Sequence, residues 1–198
     1  MTAGHWGGKP YYSLDAFLKN TYGEKLYKIA VDAGFTCPNR DGTLGHEGCL
    51  FCSAGGSGDY AVKASEHLSV ADQITAGTDL FHHKRTGQRF IVYFQAYTNT
   101  YGPLPHLRTL YTEALLEPSA AGISIATRPD CISKEIVAML VGLKETFPDK
   151  FVWIELGLQT IHEQTAVFIR RGYPLSTYDN CVSLLQQAHI PVITHIIL

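Results

Sequence analysis

Five short apolar runs set what this chain can fold into: Leu26–Val31, Phe90–Phe94, Gly122–Ala126, Phe151–Leu158 and Pro191–Leu198. None shows the strict alternation of a strand with one wet face, so they read as strands covered on both sides. Helical patterns lie between them, at Ser69–Lys84 with a Ser-x-x-Asp start, Leu104–Leu116 behind a proline, Ser133–Thr146 and Thr177–Ala188. Helical crossovers force neighbouring strands to run parallel, which leaves a doubly wound α/β sheet or a β/α barrel. An amphipathic stretch, Ser13–Tyr22, closes on Gly23 and predicts one extra helix before the first strand. The expected layout is thus an N-terminal extension over 1–24 and a β/α core over 25–198.

The stretch from Thr36 to Leu68 breaks this rhythm. It is rich in Gly, Cys and Asp and has no periodicity, and loops this long inside compact domains are usually functional. It holds GFTCPNRDGTLGHEGCLFCS, which sets Cys37, Cys49 and Cys52 in a C-x11-C-x2-C pattern directly after the first strand. A C-x2-C pair places two sulfurs on one tight turn, and a third from the same loop completes a site for an ion or a cluster. Three protein ligands leave one metal position open, whereas a closed structural site wants four. His46 is the candidate fourth ligand of such a closed zinc site, which would make the chain a zinc-stabilised binding module. The other two of the five cysteines, Cys131 and Cys181, read as packing residues. Thiols in odd number in a chain of 198 residues argue against a disulfide scaffold and for a reducing, cytoplasmic setting. No apolar run approaches the roughly 18 residues of a membrane helix. With 45% hydrophobic residues, 17% charged and a net charge of -2, neither disorder nor a nucleic-acid-coating tail fits.

In a barrel, reactive groups gather where the strands end. The ends here read FQAYTNTYGP, IATRPD, ELGLQT and ITHIIL, which bring Gln95, Tyr97, Thr98, Asn99, Thr127, Arg128, Asp130, Glu155, Gln159 and His195 to one rim. A single polar residue at such an end can simply cap the next helix, as Asp130 would; with Cys37 just past the first strand, five occupied ends on one rim are harder to dismiss. The run Gly55-Gly56-Ser57-Gly58 matches no phosphate-loop spacing and reads as flexible loop. The basic cluster His82, His83, Lys84, Arg85 and Arg89 is accounted for by a helix C-terminus.

Together these motifs resemble the radical S-adenosylmethionine (radical SAM) superfamily, in particular a bacterial group with GFTCPNRDGT followed by GC-x-FC. They are more distantly similar to the radical domain of the Elongator catalytic subunit and to oxygen-independent coproporphyrinogen oxidases. The shared pieces are TRPD at Thr127–Asp130, ELGLQT at Glu155–Thr160, RRGY at Arg170–Tyr173 and HIIL at His195–Leu198. The interval between the first two cysteines is longer than the superfamily's usual one.

The resemblance implies that Cys37, Cys49 and Cys52 ligate three irons of a [4Fe-4S] cluster, with the fourth iron left for the amino and carboxylate groups of S-adenosylmethionine. It also implies reductive cleavage to a 5′-deoxyadenosyl radical, with a flavodoxin- or ferredoxin-type electron donor. Phe51 corresponds to the aromatic residue beside the adenine, its alternative being to pack the loop. Gln95 stands where relatives grip the methionine amino group with a Gly-rich turn. Arg128 is placed to anchor a carboxylate with its fork, or else to pair with Asp130 or Glu155. Glu155 would orient Arg128 or bind the amino group, and Gln159 would lie near the ribose or carboxylate. Arg170 and Arg171 mark a structural turn near the site. The Elongator likeness points to the wobble uridine side chain of tRNA as substrate; a porphyrin or another small molecule is the other candidate.

Length bears on the barrel. A full eight-unit barrel takes about 250 residues, and only five strands are counted before the chain ends in HIIL. The expectation is a partial, TIM-like (β/α) barrel of the radical SAM type, C-terminally incomplete, with an exposed last strand.

Overall fold

The structure is a computed structural model that describes residues 6, 8–59, 61, 68–80 and 87–198. Ser13 accepts a hydrogen bond from the Ala16 amide at 3.2 Å and starts helix α1, Leu14–Tyr22, which Gly23 stops in the left-handed region. Strand β1, Tyr27–Val31, leads into the cysteine loop. The chain resumes as α2, Val70–Asp79, opened by a reciprocal capping box between Ser69 and Asp72. Then follow β2 (Phe90–Phe94), α3 (Leu104–Leu116), β3 (Ala120–Thr127), α4 (Lys134–Thr146), β4 (Phe151–Gln159), α5 (Glu163–Phe168), α6 (Leu175–Gln187) and β5 (Val192–Ile196).

The five strands form one parallel sheet in the order β1-β2-β3-β4-β5. A doubly wound sheet reverses direction part-way, so a strictly sequential order decides for the β/α barrel arrangement. The molecule is a partial barrel whose sheet has β1 and β5 at its edges. Helices α2, α3, α4 and α6 cover the outer face and bury Ile29, Val92, Phe94, Ile125, Ile154 and Leu156 against Ile74, Leu107, Tyr111, Leu140 and Leu185. The inner face is layered. Leu26, Ile91, Ala121 and Trp153 make an apolar floor that α1 plugs with Leu18, Phe17 and Tyr22.

Two residues further along β1, β2, β4 and β5 the same face turns polar, at Lys28, Tyr93, Glu155 and His195. On β3 the step from Ala121 to Ser124 is three, because the pairing with β2 slips by one residue between Phe90 and Ile91.

Strand β5 has the exposure expected of the last strand rather than the two covered faces read for the other apolar runs: among the described residues it pairs with β4 alone, and Thr194, His195 and Ile196 are exposed. Two other expectations change. The helix predicted from Ser69 to Lys84 ends at Asp79, while 81–86, with most of the basic cluster, lie outside the described residues. Arg89 of that cluster pairs with Glu24 at 2.7 Å. Helix α5 was not anticipated, because six residues are too few to show a period. Among the described residues no helix is long and apolar enough to cross a membrane.

Candidate active site

A cavity of about 190 Å3 opens at the C-terminal ends of the strands. Its wall carries Cys37, Cys49 and Cys52 from the loop with Phe51 between the last two, then Gln95, Arg128, Glu155 and Gln159 from the strand ends. Tyr93, Tyr97, Thr98, Thr127, Tyr173, Arg171 and His195 line it too. Asn99 does not; its amide is taken up by the carbonyls of Phe94 and Ala126, at 3.0 and 2.9 Å, and ties β2 to β3.

The cysteine loop is a folded object. Arg40 and Asp41 donate their amides to the Cys37 carbonyl, Leu44 to that of Pro38 and Gly48 to that of Asn39, and the Cys52 amide closes the C-x2-C turn on the Cys49 carbonyl at 3.0 Å. Burial pushes the Cys49 thiol up, and the Asn39 amide beside it works in the other direction. His46 is exposed, packs on Gly42 and is absent from the cavity wall. Among the described residues no three His, Cys, Asp or Glu side chains close on a point that would hold one metal ion.

The Gly55–Gly58 run is not loose loop. The Tyr97 amide donates to the Gly56 carbonyl at 2.9 Å, the Gln95 side-chain amide to the Ser57 carbonyl at 2.7 Å, and the Tyr97 hydroxyl to the Ala54 carbonyl at 2.9 Å. Gly56 sits at φ +61°, and a side chain there would run into the Tyr97 ring. Gln95 therefore clamps the loop to the end of β2. Tyr97 and Gln159, both non-glycine residues at positive φ, sit on the rim, and such backbone is concentrated at functional sites.

Arg128 forms a two-pronged pair with Asp130, Nε to Oδ1 at 3.0 Å and Nη2 to Oδ2 at 2.6 Å, and its remaining Nη1 donates to the Arg171 carbonyl at 3.0 Å. Of the readings open for Arg128, the structure shows the ion pair with Asp130. Glu155 does not touch Arg128. Its Oε1 accepts from Lys28 and Ser124, and its Oε2 takes the Nε2 hydrogen of His195 at 2.7 Å. Orienting Arg128 is therefore not its role in this geometry.

Lys28, Ser124 and Tyr93, over whose ring the Lys28 ammonium sits at 4.0 Å, escaped sequence reasoning. Each lies inside an apolar run, and only the strand's phase says that it faces inward. The available signal was Lys28 in YKIAV, Tyr93 in FIVYF and Ser124 in GISIA. Arg171 is more than a turn residue. Fully buried, it donates to the carbonyls of Leu158, Thr160 and Tyr173 at 3.1, 2.6 and 3.0 Å.

The family model of the radical SAM superfamily matches residues 37–198, from the first loop cysteine through β5. The chain belongs to the radical SAM superfamily. It is 43% identical over 192 residues to YtqA of Bacillus subtilis (strain 168), covering 96% of this chain and 57% of that protein. It is 36% identical over 180 residues to YhcC of Escherichia coli (strain K12), covering 91% and 56%. Among solved structures it is similar to the archaeal Elp3 of Methanocaldococcus infernus with an N-terminal deletion, at TM-score 0.58 and 13% identity, over 88% of this chain and 38% of that one. That last likeness is one of fold. The chain thus spans a little over half the length of the curated relatives it matches, and within that span this radical SAM domain contains the cysteine loop, the rim and the polar layer beneath them.

Proposed function

We propose that this radical SAM enzyme holds a [4Fe-4S] cluster on Cys37, Cys49 and Cys52 and binds S-adenosylmethionine in the cavity beside it. The carrying observation is that, among the described residues, three thiols and no other metal-ligating side chain of the loop face one cavity at the strand ends. Soft thiolates in a set of three suit an iron–sulfur cluster with one open iron. Thiols that line a wall without closing on a single point suit a cluster better than one zinc ion, and His46 turns away. When bound, the cluster supplies the electron that cleaves S-adenosylmethionine to a 5′-deoxyadenosyl radical.

The chain's own residues do the holding and shielding. Phe51, beside the paired cysteines, offers a ring for the adenine face. Gln95 and Tyr97 fix the Gly-rich loop at the cavity, and Gln159 lines the same cavity. Arg128, held by Asp130, keeps positive charge on the wall next to the thiols. A flavodoxin- or ferredoxin-type protein is the proposed electron donor. The proposed substrate is tRNA at the side chain of a wobble uridine; the Elp3-like fold and the shared TRPD, ELGLQT and RRGY motifs support it.

Anaerobic reconstitution should give a brown protein that forms 5′-deoxyadenosine from S-adenosylmethionine with dithionite, and Cys→Ala at any of the three positions should abolish both. Bound zinc with neither iron nor sulfide would instead establish the zinc module. For the substrate, tRNA nucleosides from cells with and without the gene are compared: loss of a modified uridine supports tRNA, and unchanged uridines redirect the search to porphyrins and other small molecules.

A further inference from the structure

Asn39, the Asn of the CPNRDG segment, is 6% exposed and reaches across the loop to the sulfur of one cysteine. Its Nδ2 donates to the Arg170 carbonyl at 2.7 Å and lies 3.2 Å from Cys49 Sγ, with the Arg171 carbonyl at 3.4 Å. The amide is held on both sides. Gly172, at φ +84°, packs so closely that a side chain there would come within 2.8 Å of Asn39 Oδ1. Cys52 has a weaker counterpart: its Sγ is 3.4 Å from the Ser57 hydroxyl, and Ser57 is itself held by Gln95. Among the described residues no side-chain donor reaches the sulfur of Cys37. The thiol shell is therefore graded, with a buried amide on Cys49, a hydroxyl on Cys52 and nothing on Cys37.

We propose that Asn39 is a positioning residue that raises the reduction potential of the cluster by hydrogen-bonding the Cys49 sulfur, with Ser57 doing the same more weakly at Cys52. The inference rests on the cluster reading given above. On ligation Cys49 becomes a thiolate and loses the proton with which it now contacts the Arg170 carbonyl at 3.4 Å. The Asn39 N–H remains, aimed at a sulfur that carries more negative charge. Reduction adds one further negative charge to the cluster, so a donor on a ligand sulfur stabilises the reduced form more than the oxidised one. Burial strengthens the effect, because a hydrogen bond away from water is less screened. Asn39 also joins the CPN segment to the Arg170–Gly172 turn, so the donor's aim depends on the loop and the RRGY motif meeting correctly.

The test uses the full chain, reconstituted anaerobically, as wild type, Asn39→Ala, Ser57→Ala and the double variant. Iron and sulfide per chain are measured, then the midpoint potential by titration followed with electron paramagnetic resonance. The expected result is wild-type loading in each, with the potential shifted to more negative values, further for Asn39→Ala than for Ser57→Ala and furthest for the double variant. Full loading with an unchanged potential in the Asn39 variant overturns the inference and leaves the cluster reading intact. A wild-type chain that takes up no iron overturns both. If Asn39→Ala loses the cluster through its structural contacts, Ser57→Ala decides: a negative shift supports sulfur tuning and an unchanged potential overturns it.

Discussion

Glu155 is 2% exposed and its carboxylate is surrounded by donors from three other strands. Burial alone would raise its pKa, but the contacts with His195, Lys28 and Ser124 outweigh it and hold the carboxyl down to about 2, against 4.5 ordinarily. A depressed folded-state pKa contributes stability in full above the unfolded value and loses it as the pH falls to the folded one. The window here runs from about 4.5 down to about 2. Glu155→Gln strips the countercharge from Lys28 and should cost about 3 kcal/mol at neutral pH. The gap from wild type should narrow as the pH drops through that window. Urea midpoints at about pH 7, 4 and 2.5 measure it, and a gap independent of pH would show that the carboxylate is not the stabilising group. At this scale the rim was legible, because a polar residue at the end of an apolar run stands out: Gln95, Arg128, Glu155 and Gln159 all line the cavity. Their partners were not. Whether Arg128 meets Asp130 or Glu155 depends on strand register and rotamer, and the slip at Ala121 that turns Ser124 inward leaves no mark in GISIA.

Strand and helix cores stood where the pattern put them, since buried parallel strands are apolar throughout and the helices between them are long enough to show a 3.6-residue period. The segment after β4 did not, because α5 is held by a long-range side chain rather than by its own periodicity. Arg171, 1% exposed, binds the carbonyls of Leu158 and Thr160 at the end of β4, that of Tyr173 before α6, and Glu163 at the start of α5 at 3.4 Å. One guanidinium thus joins three elements. Arg171→Lys keeps the charge and loses the fork, leaving buried carbonyls without donors, and should cost about 3 kcal/mol. Hydrogen exchange should speed up between Leu158 and Leu175 more than in α3 or β2. Uniform acceleration across the chain would mean that Arg171 supports the whole fold rather than this junction.

At the scale of the molecule, α1 and an apolar floor seal the lower inside of the sheet, and the cavity lies at the opposite, C-terminal ends of the strands. Its wall draws on β2, β3, β4, β5 and the cysteine loop, so a ligand there touches most of the elements that must separate on unfolding. A ligand that binds only the folded state adds RT ln(1 + [L]/Kd), about 2.7 kcal/mol at a hundredfold excess over Kd. For a chain of 198 residues, 1 kcal/mol moves the melting temperature by about 2–4 °C. S-adenosylmethionine at that excess should therefore raise the melting temperature of the cluster-loaded protein by about 5–10 °C. The same addition to Cys37→Ser, which lacks one ligand of the proposed cluster, should raise it far less, since the open iron would hold the amino and carboxylate groups. Equal shifts in both proteins would place the binding energy in the cavity wall alone and remove the cluster from the account of cofactor binding.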